Sequence, residues 1–104
     1  MRTLKFIVNK QRMRKDSKTD FANIVAGTIG YLEAEFETTN DWNGCSIVAY
    51  FSGNEREEYM AVINGRCMVP ENVLGGPAFT VQLIGTRDNY RVVSTKEHVL
   101  QKVR

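Results

Sequence analysis

The chain is poor in the residues that most often mark a chemical site. Its 104 residues include one histidine and two cysteines. A zinc site would need His98 and both cysteines, yet Cys45 and Cys67 lack the Cys-x-x-Cys spacing typical of such sites. We therefore interpret His98 as a partly exposed strand residue and expect neither metal nor cofactor. Two cysteines are also too few for a disulfide scaffold.

The sequence also lacks the segments that carry a protein into or across a membrane. No apolar run approaches the roughly 18 residues of a membrane span. The N-terminus, MRTLKFIVNKQRMRK, has neither the apolar core nor the small-residue cleavage site of a signal peptide. We expect a chain that is made and folded in a cytoplasm, with both thiols reduced.

Catalytic patterns are equally scarce. Glu33, Glu35 and Glu37 recur at a spacing of two, which predicts a solvated strand face and not an acid–base pair. Nothing in the sequence marks the cleft that a glycosidase needs for its two carboxylates. Gly75-Gly76 lacks the pattern of a phosphate-binding loop. The sequence predicts a protein that is not an enzyme.

The dominant pattern is an alternation of apolar and polar residues with a period of two. Turn residues separate the alternating segments, most clearly Asn64-Gly65. Pro70 ends one segment and begins a helical turn over residues 70–74. The predicted strands cover residues 3–9, 28–37, 46–52, 57–63, 66–69, 78–84, 90–94 and 98–103.

Seven or eight short strands, about ten residues apart, are typical of an antiparallel β-sandwich or barrel. We predict a single antiparallel all-β domain over residues 1–104, with residues 46–52 as a central strand. The pattern is weakest over residues 10–26. Within this range, residues 21–25 are predicted to form a short strand that crosses between sheets. The side chains predicted to point inward are Leu32, Ala34, Phe36, Phe79, Val81 and Leu83, whereas Leu4, Phe6 and Val8 are predicted only to share one side of their strand.

Positive charge is concentrated in one place, although the formal net charge is only +2. This basic patch consists of Lys10, Arg12, Arg14, Lys15 and Lys18. Such residues can bind phosphates, acidic glycans or an acidic protein face. They can equally form a solvated edge that discourages aggregation between strands. The second interpretation is favoured, because Asp16 and Asp20 dilute the run and no aromatic residues are interleaved for base stacking.

Three segments resemble, in order and spacing, a small β domain that recurs in structural proteins of tailed bacteriophages. They read D-W-N-G from Asp41, C-M-V-P-E-N-V-L from Cys67, and F-T-V-Q-L-I-G from Phe79. The resemblance covers about residues 4–93. It implies an immunoglobulin-like sandwich and a place in the phage particle. Glu71 departs from the family, which often has an aromatic residue there.

The residues of this motif are interpreted as architectural. Asp41 is expected to bind backbone amides of its turn, and Trp42 to close one end of the sandwich. The second segment is expected to form a corner at which the chain changes sheet. The structural motif consists of Asp41, Trp42, Gly44, Cys67, Pro70, Val73 and Leu74.

The resemblance implies a virion protein that binds other copies of itself and a capsid, neck or baseplate neighbour. Edge strands and tyrosines suit such contacts, whereas neither nucleic acid nor a membrane is expected as a partner. The candidate interface residues are Leu4, Phe6, Val8, Tyr50, Tyr59, Tyr90, His98 and Leu100.

Two alternatives stay open. A host-surface recognition module would bind a cell-wall glycan or protein through loops at one end of the sandwich. It would use an aromatic cluster such as Tyr31, Trp42 and Tyr90. A small cytoplasmic regulator would instead bind nucleic acid through the basic patch, with an affinity that falls as salt rises.

Overall fold

A computed structural model describes residues 1–103 and places their strands in two sheets that enclose one core. No helix among these residues is long and apolar enough to cross a membrane. Two short 3₁₀ turns, Asn40–Trp42 and Glu71–Val73, connect strands. The described strands are β1 (Arg2–Asn9), β2 (Arg12–Lys15), β3 (Leu32–Thr38), β4 (Ser46–Gly53), β5 (Arg56–Val62), β6 (Arg66–Met68), β7 (Ala78–Arg87), β8 (Tyr90–Val93) and β9 (Glu97–Leu100).

The first sheet has the strand order β2-β1-β3-β6. β1 and β3 pair in parallel, with Leu4 opposite Ala34 and Phe6 opposite Phe36. The prediction of a wholly antiparallel domain is therefore wrong. Parallel neighbours require a long connection, and the chain between Asn9 and Leu32 provides one. Alternation with a period of two reports which face a residue occupies, and it carries no information about strand direction.

The second sheet is antiparallel, with the order β5-β4-β7-β8 and with β9 paired to the first half of β7. β4 lies between β5 and β7, so the predicted central position of this strand is confirmed. The predicted helical turn is also confirmed, as the 3₁₀ turn Glu71–Val73. Across this turn the chain passes from the first sheet to the second, and Val73 and Leu74 are buried there.

Residues 1–103 form nine strands, where seven or eight were predicted. The additional strand is β2, in which only Met13 points into the core. Its charged neighbours hide the alternation in the sequence. The predicted strand over residues 21–25 does not form, and Val25 makes only an isolated bridge to Lys102.

The core lies between the inner faces of the two sheets and confirms the predicted inward positions. All six side chains predicted to point inward are buried, and so are Leu4, Phe6 and Val8. They pack in one cluster with residues from the other strands and both 3₁₀ turns, including Trp42, Phe51, Cys67 and Val99. Burial of this apolar surface is the main source of stability in such a fold.

The turn between β4 and β5 departs from the residue preferences of tight turns. Asn54 and Glu55 both have positive φ angles, 52° and 58°, as in the twisted two-residue turns that join antiparallel strands. Gly53 is required for a different reason, close packing. A Cβ at Gly53 would lie 2.7 Å from the carbonyl oxygen of Val73. The departure from the usual preferences is at Glu55, a charged residue whose positive φ angle is a conformation that usually favours glycine.

Trp42 connects the two sheets at one end of the molecule. It lies in the first 3₁₀ turn, between β3 of the first sheet and β4 of the second, and is 2% exposed. Its indole Nε1 donates a 2.7 Å hydrogen bond to the carbonyl oxygen of Lys10, in the β1–β2 turn. A Cβ at Gly85 of β7 would lie only 2.9 Å from the indole Cε3. The indole therefore contacts both sheets.

The neighbours of Trp42 follow the predictions in part. Gly44 has a φ angle of +77°, the positive value expected for this turn. Asp41 does not bind backbone amides as predicted. Its carboxylate instead accepts a 3.2 Å hydrogen bond from the hydroxyl of Thr39.

Replacing Trp42 with alanine should lower the free energy of unfolding by about 3–5 kcal/mol, the usual cost of truncating a buried large aromatic residue. Urea unfolding monitored by circular dichroism would measure the change. Ile29→Ala, at a position that is 72% exposed, is the control and should change stability by less than about 0.5 kcal/mol. Equal stability of the Trp42 variant and the parent would contradict a core role.

Candidate interaction surfaces

The outer face of the second sheet carries apolar side chains in two neighbouring rows, the first of which crosses four strands. One row places Ala61 of β5 opposite Val48 of β4, which in turn lies opposite Ile84 of β7 and, beyond it, Val93 of β8. The next row places Tyr59 opposite Tyr50. This apolar face consists of Val48, Tyr50, Tyr59, Ala61, Ile84 and Val93.

The two tyrosines make this face amphipathic. Their ring centroids are 5.0 Å apart, and Tyr59 is 65% exposed. The Tyr50 hydroxyl donates a hydrogen bond to the Glu57 carboxylate, which raises the pKa of Tyr50. The Lys96 ammonium lies 5.8 Å from the centre of the Tyr50 ring. Exposed tyrosines combined with aliphatic side chains are typical of protein–protein interfaces.

The outer face of the first sheet has the opposite character. Lys5 pairs with Glu37 at 3.2 Å, which raises the pKa of Lys5. Arg66 pairs with Glu33 at 2.6 Å and with Glu35 at 3.3 Å. The three glutamates thus lie on one solvated strand face, as predicted. Exposed ion pairs of this kind contribute little to stability, so their main consequence is a charged surface.

Three of the candidate interface residues were wrongly placed. Leu4, Phe6 and Val8 are completely buried. The prediction treated β1 as an edge strand, whereas β1 lies between β2 and β3. Its apolar side therefore faces the core and is closed to any partner.

The other candidate interface residues lie at the surface, in separate places. Tyr50 and Tyr59 belong to the apolar face. His98 and Leu100 are exposed on β9, which pairs with the first half of β7, and Leu100 is 76% exposed. Tyr90 lies at the Trp42 end, where its hydroxyl donates a 2.6 Å hydrogen bond to a backbone carbonyl.

The aromatic cluster expected of a glycan-binding module does not form. Trp42 and Tyr90 lie at the end of the sandwich where β1 ends, since Trp42 binds Lys10 and the Tyr90 hydroxyl binds the Asp41 carbonyl. Tyr31 lies at the other end, where its carbonyl accepts the amide of Arg2. The indole of Trp42 is also buried, so no aromatic platform joins the three residues.

Most of the predicted basic patch lines an open groove of about 600 Å³. Four cations line this basic groove: Lys10, Arg12, Arg14 and Lys96. Among residues 1–103, no carboxylate lies within ion-pair distance of any of the four.

The groove follows the seam at which the two sheets meet. The amide of Thr95 donates to the carbonyl of Gln11 at 2.7 Å, and the amide of Met13 donates to the Thr95 hydroxyl at 3.0 Å. These bonds attach the segment before β9 to the edge strand β2. Sequence reasoning missed Thr95 and Lys96, because they are about 80 residues from the basic patch along the chain and only tertiary structure brings them beside it.

The remaining residues of the predicted basic patch do not add free charge to the groove. Lys15 pairs with Glu97 at 2.5 Å, which also neutralises the only carboxylate that lines the groove. Lys18 is exposed outside the groove lining, in the segment after β2. The five-residue patch is therefore reduced to three residues that share one concave surface with Lys96.

Both cysteines are free thiols in this structure, as predicted. Cys67 is buried in the core cluster, and Cys45 is half-buried beside it. Burial, together with the nearby charge of Glu33, raises the pKa of Cys67 from 9.0 to about 12. Within residues 1–103, no group of three or more histidine, cysteine, aspartate or glutamate residues could hold a metal ion.

Comparison with known proteins yields no family for this chain. No protein-family model matches the sequence, and no curated protein matches it either.

The raised pKa of Cys67 predicts a loss of stability in alkaline solution. Above pH 9 the thiol ionises in the unfolded chain but stays protonated in the fold up to about pH 12. The free energy of unfolding should therefore fall by up to about 1.4 kcal/mol per pH unit over this interval. Urea unfolding from pH 7 to 11 would measure the slope. Cys67→Ala should make the slope shallower, whereas Cys45→Ala should retain it; identical slopes in all three proteins would refute the assignment.

Proposed function

We propose that this chain is a non-enzymatic structural component of a tailed-phage particle and acts through protein–protein contacts. The apolar face is the observation that carries the proposal. Its tyrosine and aliphatic side chains extend across four strands, with Tyr59 and Ala61 exposed and the other four half-buried, on a sheet whose opposite side is already filled by the core. The resemblance of the sequence to phage structural proteins supports the setting.

The physical basis of the proposal is the cost of leaving this face in water. Each Å² of apolar surface removed from water by a partner contributes about 25 cal/mol. Tyrosine is well suited to such a contact, because its ring buries apolar area while its hydroxyl keeps a polar partner. β5, which carries Tyr59 and Ala61, lies at the edge of its sheet. A partner that covers the apolar face can therefore also contact this edge.

The finer details belong to the same proposal. An immunoglobulin-like arrangement is supported by the phage resemblance and by a sandwich-like pair of sheets with a shared core. The parts of a phage particle are arranged symmetrically, so self-association is part of the proposal as well. The position in the particle is head, neck or baseplate, with another virion protein as the neighbour.

Immunogold labelling of intact particles from the source should place this protein on the virion. Label on heads would identify a head decoration or head-fibre role. Label at the neck or the tail tip would identify a neck or baseplate role. Particles without label, together with protein found only in the lysate of infected cells, would refute the virion proposal and favour a cytoplasmic regulator.

A single charge on the apolar face should block incorporation into particles without unfolding the domain. Tyr59→Lys is expected to change the free energy of unfolding by less than about 0.5 kcal/mol, because the side chain is mostly exposed. A buried unpaired ammonium at an interface is costly, so particles assembled with this variant should lack the protein. Ile29→Lys, which alters an exposed loop residue outside this face, should be incorporated normally. Equal incorporation of both variants would exclude the apolar face as the contact.

A further inference from the structure

Charge is distributed unevenly over this molecule. The four cations of the basic groove, together with Lys15 and its partner Glu97, amount to five positive charges and one negative, a net +4. The formal charge of the whole chain is +2. The remainder of the chain therefore carries a net −2, so the groove is a positive site on an otherwise slightly acidic protein.

The β4–β5 hairpin carries three glutamates, Glu55, Glu57 and Glu58, and one exposed cation, Arg56, which gives it a net charge of −2. Glu55 and Glu57 are exposed there, and Glu58 is half-buried next to them. Their polar contacts are with neutral groups, because Glu57 accepts from the Tyr50 hydroxyl and Glu58 accepts from the Asn72 amide at 2.6 Å. Within residues 1–103 none of the three forms an ion pair. Their negative charge is therefore available to a partner.

The groove and the acidic hairpin lie at opposite edges of the second sheet. The groove is lined by residues of β2 and by Glu97 of β9, and β9 pairs with β7. The hairpin belongs to β5, which pairs with β4 on the other side of β7. Three strand spacings, roughly 14 Å in all, therefore separate β9 from β5. Because β7 and β4 lie between them, one chain cannot insert its own hairpin into its own groove.

We propose that the basic groove binds the acidic β4–β5 hairpin of a second copy of this chain. The two surfaces are complementary in charge, and they lie on different edges of the sheet, so the contact is heterologous and repeats head to tail. Such contacts generate closed rings or open filaments. This proposal rests on the assembly role proposed above and specifies one of its contacts.

The side chains of the groove are suited to carboxylate ligands. Arg12 and Arg14 point outward from β2 on either side of the buried Met13. Guanidinium groups bind carboxylates through paired, charge-assisted hydrogen bonds. A volume of about 600 Å³ lies within the range of clefts that enclose a ligand group. A hairpin that presents Glu55 and Glu57 supplies two carboxylates on a rigid two-stranded support.

Reciprocal charge reversal provides the test. The groove variant is Arg12→Glu/Arg14→Glu, and the hairpin variant is Glu55→Lys/Glu57→Lys. In either variant, like charges face each other in the proposed contact, which opposes binding by several kcal/mol. Each variant alone should therefore self-associate at least about a hundredfold more weakly than the parent. An equimolar mixture should recover association, because the native groove of one variant can bind the native hairpin of the other.

Sedimentation velocity of the full chain, at concentrations up to about 1 mM, would measure association. The parent should associate at low salt and dissociate near 1 M sodium chloride, where the Debye length falls to about 3 Å. The control Arg91→Glu/Lys102→Glu makes the same change in net charge at exposed positions outside the groove. It should associate like the parent, and circular dichroism should show all variants folded.

Three results would overturn the proposal. These are a parent that is monomeric over the whole concentration range, reversed variants that associate like the parent, or a mixture without recovery. A monomeric parent that binds a single-stranded oligonucleotide through Arg12 and Arg14 would assign the groove to nucleic acid instead. None of these results would alter the labelling of particles or the incorporation of the Tyr59 variant, so this contact can fail while the virion proposal stands.

Discussion

The position of Trp42 is the constraint on which the arrangement of the two sheets depends. The indole lies on the connection between the sheets, donates to the Lys10 carbonyl in one of them, and packs where Gly85 leaves space in the other. Shape and hydrogen bonding thus fix the distance and the orientation of the sheets at this end. The same hydrogen bond holds the β1–β2 turn, so the wall of the basic groove is anchored to the core.

The outer faces of the two sheets present different kinds of side chain to water. On the first sheet, glutamates alternate with buried residues, and Lys5 and Arg66 neutralise them. On the second sheet, the aliphatic residues and tyrosines of the apolar face occupy several of the equivalent outer positions, beside polar residues such as Glu57 and Gln82. A monomer gains nothing from such a face, whereas an assembled particle gains the burial of its apolar area. This difference in chemistry between the two faces is the basis of the proposed assembly role.

The groove and the apolar face are separate surfaces with complementary physical roles. Contacts between charged groups steer partners and select a register, and they weaken as salt rises. Contacts between apolar groups supply most of the binding energy and withstand salt. Lys96 links the two surfaces, because it lines the groove and its ammonium also lies near the Tyr50 ring. A chain with both surfaces can select its neighbour through charge and hold it through apolar burial.

The sequence by itself determined the all-β class, the inward side of the strands and the helical turn after Pro70, because alternation and turn chemistry are local properties. It did not determine which strands are neighbours, since β1 pairs in parallel with β3 through contacts made across a long connection. That one topological fact placed Leu4 in the core instead of at an edge. Nor did the sequence predict that Thr95 and Lys96 complete the basic groove. Surfaces made from distant segments exist only once the sheets have packed, because packing decides which side of each strand is left for a partner.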